Sequence, residues 1–393
     1  MEFSSLNCTD WLEMENSNRS YSAADFSHQV NKRNVAAVVF VGLMIAVGLV
    51  GNILVIIVFT LKYKKSTYRV YVLCLAFLDT LNCCFTLPFA VTYILFSQNF
   101  PSGALCKIGH FVGFYIGLAS PFTLILIAFD RYRNICQPLC LQISEKKAKV
   151  YCVIVNIASL AMSWHVPVIY GNTEYQVPNT HLIVTRCYKE DNSIAQKITW
   201  WQYIILTAIL VIVAVLLAVI YFIIMIRVQH KSKYFTQLQT TKGRAKSSTG
   251  NGRVSSNTSG SRNSDVSRTS SNFSNGDGTG AYVSKSIQTR KTTLTFFIIT
   301  TVYVLSSVIH HALAIVLHVV PNLECRMTFI QGAVFWTFFW TIFINNIANP
   351  FIYGLSDNRF RQHLKAFFHK KKTIPLAWTT QKPFLKTRNR EKK

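Results

Sequence analysis

Seven stretches of this chain are long and apolar enough to cross a bilayer: residues 35–61, 70–96, 105–130, 148–170, 201–227, 292–318 and 329–353. A crossing helix needs roughly 20 mostly apolar residues to traverse a hydrocarbon layer of about 30 Å. Lipid offers backbone N–H and C=O groups no partners, so such a stretch must satisfy them within its own helix. The first stretch carries no charge at all. A soluble helical core could supply one or two segments of this kind, but not seven. Composition agrees, with 50% hydrophobic and 15% charged residues. The fold class expected is an all-α membrane protein, a seven-transmembrane helix bundle.

Lysine and arginine set the orientation. Segments 62–69, 131–149, 227–291 and 359–393 fall on one side of such a bundle and carry 33 of the 41 basic residues. That side reads as cytoplasmic, which puts the N-terminus outside a multi-pass plasma-membrane protein. The net charge of +25 is then mostly positive-inside bias and attraction to anionic membrane lipid, and poor evidence for nucleic acid. Residues 1–34 read as an extracellular tail with glycosylation acceptors at Asn7 and Asn18. The same pattern at Asn257 and Asn272 falls in the cytosol, where it should stay bare. No apolar leader precedes the first span, which would serve as an uncleaved insertion signal.

Residues 35–228 hold spans one to five and 291–354 hold spans six and seven. Between them, 229–290 is rich in Ser, Thr, Asn, Gly and basic residues, and reads as a disordered third cytoplasmic loop. Its serines near arginines are candidate kinase sites, with arrestin the partner that would follow. Over 355–369, Leu355, Phe360, Leu364, Phe367 and Phe368 fall on one helical face opposite basic residues, as in an amphipathic helix on a membrane surface. A basic cytoplasmic tail, 370–393, completes the chain.

Asp79 stands in the middle of span two, where a carboxylate costs roughly 3 kcal/mol on insertion scales. Asn52, Ser120, Asn345, Asn346 and Asn349 lie at similar depth in other spans. These groups stay polar only by facing one another or water, so one buried network is expected. A carboxylate among neutral oxygens suits a hard cation. Of ten cysteines, Cys8, Cys106, Cys187 and Cys325 fall in outward segments, an even set that allows three disulfide pairings.

The order of landmarks is specific. Gly51-Asn52, "LAFLD" ending at Asp79, Cys106, "DRY" at Asp130-Arg131-Tyr132, Pro138-Leu139, Tyr221 and "NPFIY" from Asn349 to Tyr353 occur one set per span. In this the chain resembles the rhodopsin-like (class A) G-protein-coupled receptors from about residue 35 to 368. The resemblance implies roles. Asp130 would hold Arg131 at rest, and Arg131 would swing toward a heterotrimeric G protein when helix six moves out. Tyr221 and Tyr353 would line the cavity that opens, and Cys106 would bond Cys187. Asp79, Ser120, Asn345 and Asn349, with Asn52, would frame an allosteric sodium site. No other cofactor is implied, and any nucleotide exchange occurs on the G protein, so the chain itself is not an enzyme.

It also departs from that pattern. Tyr303 stands where helix six has its Phe, Ser307 where it has Trp, and Ile309 where it has the kinking Pro; Val213 stands where helix five has Pro. No acid opens helix six to pair with Arg131. Span seven has no lysine for a retinal Schiff base, and Gly113 stands where amine receptors have Asp. The segment around His181–Thr185 alternates as a hairpin lid would. A wide lid, a polar tail and a Cys8–Cys325 tether would resemble receptors for extracellular peptides, neuropeptide receptors among them. His310, His311, Gln331 and Trp336 are ligand candidates; the two histidines lie about 100° apart on one helix, so one is expected to face the ligand and the other to pack. Two other readings stay open: a receptor-fold protein that does not couple, serving as a scavenger or heteromer partner, and an ion-coupled transporter with Asp79 at its ion site. The transporter would predict inverted repeats, and the two halves show no similarity.

Overall fold

The structure is a computed structural model that describes residues 23–177, 181–189, 193–248, 277–320 and 323–369. Span one is Ala23–Lys62. Span two, Thr67–Leu95, widens into a π-helical turn at Asn82–Thr86. Pro88 lies two residues beyond, and its missing N–H and its ring would disrupt a regular ladder there. Span three is Gly103–Cys136, and span four is Glu145–Ile169. Strands β1 (Tyr170–Gln176) and β2 (Ile183–Lys189) form an antiparallel hairpin with Asn172 opposite Cys187. Spans five and six are Ser193–Ser248 and Asp277–Val319. Span seven runs as Phe329–Phe339, a 3₁₀ turn at Trp340–Phe343, and Ile344–Ser356. The helix Asn358–His369 follows.

Among the described residues, six helices are individually long and apolar enough to cross a membrane. Span seven reaches that length only as three consecutive pieces, because the 3₁₀ turn divides it. Among the described residues, the largest cluster of buried apolar side chains lies toward the basic end and includes Phe59, Tyr71, Leu124, Leu217, Phe296 and Tyr353. Outward faces stay apolar and exposed, as at Leu43, Val211, Val219 and Phe222, which suits lipid as the solvent.

Two boundaries differ from the sequence reading. Residues 23–34, assigned to the polar tail, are the first turns of span one. Phe26 and Val30, four residues apart, bury one face against Val177 and Val184 of the hairpin, so packing extends the helix past its apolar stretch. The disorder expected over 229–290 fails at both ends, since span five continues to Ser248 and span six starts at Asp277. The first extension has no proline and a single glycine, Gly243, and a helix already nucleated gains one hydrogen bond for each residue added. The readings for Asn7, Cys8, Asn18, Asn257, Asn272 and the tail 370–393 lie outside the described residues, and with Cys8 so does the Cys8–Cys325 tether.

Candidate functional site

The hairpin lies across the end of the bundle opposite the basic one. A disulfide joins Cys187 of β2 to Cys106 of span three, with Cα atoms 5.5 Å apart. Further ties fix the lid: Phe100 N–H donates to Thr185 O at 2.9 Å, Arg186 Nε to Gln98 Oε1 at 2.8 Å, and Asn172 Nδ2 to Phe100 O at 3.1 Å. His110 lies close to both half-cystines, but the bridge consumes the two thiolates that a metal would need.

Beneath the lid, spans two to seven enclose a cavity of about 390 Å³, within the range of small-ligand sites. Span seven supplies an aromatic wall in which Trp336 and Trp340 each contact Phe339 edge to face. On the opposite side, Phe89 lies directly over Gly109, where a methyl group would come within 2.1 Å of Phe89 Cδ2. The absent side chain is what lets that ring reach the wall.

His310 and His311 both line the cavity. Each is held by a backbone carbonyl: His310 Nδ1 to Phe339 O at 2.6 Å and His311 Nδ1 to Ser307 O at 2.8 Å. A carbonyl only accepts, so Nδ1 carries the proton in both rings. Trp336 also lines the cavity. Gln331 does not. Its side chain accepts from Thr328 N–H at 3.0 Å while its own N–H donates to Thr328 Oγ1, a capping box at the start of span seven.

Deeper in the bundle, Asn349 Nδ2 donates to Asp79 Oδ2 at 2.6 Å. Asn52 Nδ2 donates to Asn346 O at 2.8 Å, a reach made possible where Gly51 lets span one approach Pro350. Asn52, Asp79, Ser120, Asn345, Asn346 and Asn349 are all buried. The Oδ1 atoms of Asn52, Asn345 and Asn349 are buried without hydrogen-bond partners.

At the basic end, Asp130 is fully buried and pairs with Arg131, and it also accepts from Asn134 Nδ2 at 3.0 Å. The Arg131 guanidinium reaches Thr67 Oγ1 on span two at 3.3 Å and Thr292 Oγ1 on span six at 3.5 Å, beside the Phe296 ring. Tyr221 and Tyr353 are buried in the same cluster, with Tyr132 half-buried against it. Thr300 donates to the Tyr221 hydroxyl at 3.5 Å. Asp357, which the sequence reading passed over, caps the surface helix through Arg359 N–H at 2.9 Å and accepts from Tyr63 at 2.7 Å.

The family model described as "7 transmembrane receptor (rhodopsin family)" matches residues 51–353. The chain belongs to the rhodopsin family of seven-transmembrane receptors. It is a multi-pass membrane receptor, neither an enzyme nor a transporter. It is 31% identical over 34% of its length to the C5a anaphylatoxin chemotactic receptor 1 of Oncorhynchus mykiss. With the C3a anaphylatoxin chemotactic receptor of Danio rerio the figures are 34% over 33%, and with Tachykinin-like peptides receptor 99D of Drosophila melanogaster 29% over 37%. The matched stretches span only 39%, 36% and 28% of those relatives' own lengths.

In this receptor, span six is one helix from Asp277 to Val319, and proline falls instead at Pro88, Pro121, Pro167 and Pro350 of spans two, three, four and seven. Tyr303 both lines the cavity and packs against the core of the basic end. Beside Ser307 of span six, the cavity's aromatic groups come from the adjoining span seven, whose Phe339 packs on His310 at 4.5 Å between ring centroids.

Proposed function

We propose that this receptor transmits the binding of an extracellular peptide to a heterotrimeric G protein. The observation that carries the proposal is that span three lines the ligand cavity at Gly109 and His110 and bears the Asp130–Arg131 pair at its other end. His110 and Arg131 lie roughly 32 Å apart at 1.5 Å per residue. A rigid helix shared by both sites couples a change at one to the other. The excess of basic residues supports a cytoplasmic Arg131 end and an extracellular hairpin and N-terminus. A peptide ligand is supported by the relative named as a receptor for tachykinin-like peptides.

At rest, Asp130 neutralises Arg131, and Thr67 and Thr292 hold the guanidinium between spans two and six. A ligand that binds better when span six is displaced shifts the population toward the state with Arg131 released. Tyr221 and Tyr353 then line the opened cleft, and the G protein takes the place of span six. Kinases and arrestin would act on the third cytoplasmic loop, and lipid would contact the surface helix.

Asp79 and the partnerless oxygens of Asn52, Asn345 and Asn349, with Ser120 nearby, offer one carboxylate and several neutral donors, a set that fits a sodium ion. Bound there, sodium would supply the counter-charge that Asp79 lacks and favour the resting state.

The test is nucleotide exchange on a panel of G proteins without ligand, comparing the receptor with Arg131→Ala at matched surface expression. Basal exchange lost in the variant supports the reading, and equal signals from both would sink the role of Arg131. The second reading, a receptor that binds ligand without coupling, is favoured by the proline-free span six. Exchange that stays absent when ligand is bound would establish it.

A further inference from the structure

Two walls of the cavity carry polar groups that the fold leaves unsatisfied. Trp336 Nε1, Trp340 Nε1 and Asn346 Nδ2 of span seven, with Asn82 Oδ1 and Thr86 Oγ1 of span two, are buried without hydrogen-bond partners among the described residues. All five residues line the cavity, and each is over nine-tenths buried. Local packing explains why they stay unpaired. Asn82 and Thr86 begin and end the π-helical turn of span two, and the Thr86 methyl lies 3.3 Å from where a Cβ of Gly113 on span three would stand. The Trp340 ring sits edge-on to Tyr93 at 6.2 Å and stacks on Phe343 at 5.9 Å. Ring contacts hold this tryptophan, so its N–H is left over.

A buried polar group left unpaired is costly, so the ligand that suits this cavity pairs both walls. An indole N–H can only donate, whereas an amide oxygen accepts and a hydroxyl does either. An ammonium group offers donors alone and cannot serve the indoles. A free carboxylate offers acceptors alone and leaves Asn82 Oδ1 unpaired. It would also bring a negative charge within about one turn of Asp79, whose carbonyl accepts from the Asn82 N–H. A primary carboxamide is neutral and carries two N–H donors beside an oxygen with two lone pairs.

We infer that the cavity takes a peptide by a C-terminal primary amide. The amide oxygen and the backbone carbonyl before it accept from Trp336, Trp340 and Asn346, and the amide N–H groups donate to Asn82 and Thr86. This rests on the peptide-receptor reading above and narrows it to peptides whose terminal carboxyl has been amidated. An aromatic side chain beside that amide would find Phe339 and the two indoles as its surroundings.

The experiment measures retention on purified, full-length receptor by mass spectrometry. Four probe pools are used: tetrapeptides ending in phenylalanine or tryptophan as primary amides, the same peptides as free acids and as methyl esters, and aryl-alkanamides lacking peptide bonds. Each pool is run against the receptor, Trp340→Phe and Thr86→Val, with thermal unfolding of all three proteins measured in parallel. The expected result is retention of peptide amides over acids and esters, lowered about five- to tenfold by each substitution. Thr86→Val should meanwhile keep or raise the unfolding temperature without ligand, because it removes an unpaired hydroxyl; a clear loss of stability would give that hydroxyl a structural role and overturn its part in binding. Acids held as well as amides, or amide retention untouched by both substitutions, would overturn the amide while leaving the peptide reading intact. Esters held as well as amides would overturn donation to Asn82 and Thr86. Aryl-alkanamides retained alone would keep the amide and remove the peptide. Retention of no pool would overturn the amide site and leave the coupling role of Arg131 untouched.

Discussion

Arg131 of span three reaches Thr292 of span six, its Nη1 standing 3.5 Å from the hydroxyl, in a stretch of that helix, residues 278–319, that carries no acid. Thr67 flanks the same guanidinium from span two at 3.3 Å. A neutral hydroxyl at that range holds a cation far more weakly than a carboxylate would. Thr292→Ala should therefore raise basal nucleotide exchange modestly, up to about fivefold for a contact of about 1 kcal/mol, and Thr292→Glu should suppress it. Exchange measured at matched surface expression checks this; no change in either variant would deny Thr292 a part in the resting state.

Asp79 and Asn349 give a second test. If sodium binds beside them, sodium chloride should raise the unfolding temperature relative to choline chloride, with a stabilisation of about 1.4 kcal/mol at ten times Kd. Asp79→Asn should abolish the difference between the two salts. Equal responses to both salts in the unaltered receptor would remove the ion from the account.

Gly109 should be intolerant of a side chain. The added methyl of Gly109→Ala meets Phe89 Cδ2 at 2.1 Å, and overpacking of this kind costs about 1–3 kcal/mol. Because Phe89 is the obstacle, Phe89→Leu should restore part of the lost stability when combined with Gly109→Ala. Thermal unfolding of the two single variants and the double variant measures the coupling. Additive losses would show that the clash is relieved elsewhere.

Lys189 predicts a pH dependence. Burial under the hairpin pushes its ammonium from the ordinary 10.5 down to about 8. The folded state then binds fewer protons than the unfolded chain between those values, so this residue's contribution to stability rises with pH across that window. Among the described residues that line the same cavity, the other titratable groups are Tyr93, His110, Tyr170, Tyr188, Tyr303, His310 and His311. Thermal unfolding measured from pH 7 to 9.5 should show the rise in the receptor, and Lys189→Gln should flatten it.

The site was legible in unequal parts. Asp130, Arg131, Tyr221 and Tyr353 could be named from their order along the chain, and the structure gathers them at one end of the bundle. The capping box at Thr328 and Gln331 was also legible, as Thr-x-x-Gln before an apolar run, yet Gln331 was read as a ligand contact. Lys189 carried no such signal. Its place in the cavity depends on a hairpin register tied to span three by Cys106–Cys187, and a single-residue slip would turn it to the other face.

By itself, the sequence determined how many times the chain crosses lipid and which end is basic. A bilayer is a nearly uniform solvent, so local hydropathy suffices to say what it accepts. Tertiary structure decided which polar groups meet. Asn349 and Asp79 lie 270 residues apart and share a hydrogen bond; His310 and His311 are adjacent, yet both reach the cavity. Such meetings depend on how each helix is rotated about its own axis, and that rotation is set by packing against neighbours, as where Gly51 admits Pro350 and Gly109 admits Phe89. Packing also set how far a helix is ordered beyond its apolar stretch: span one includes Phe26 and Val30, which bury against the hairpin.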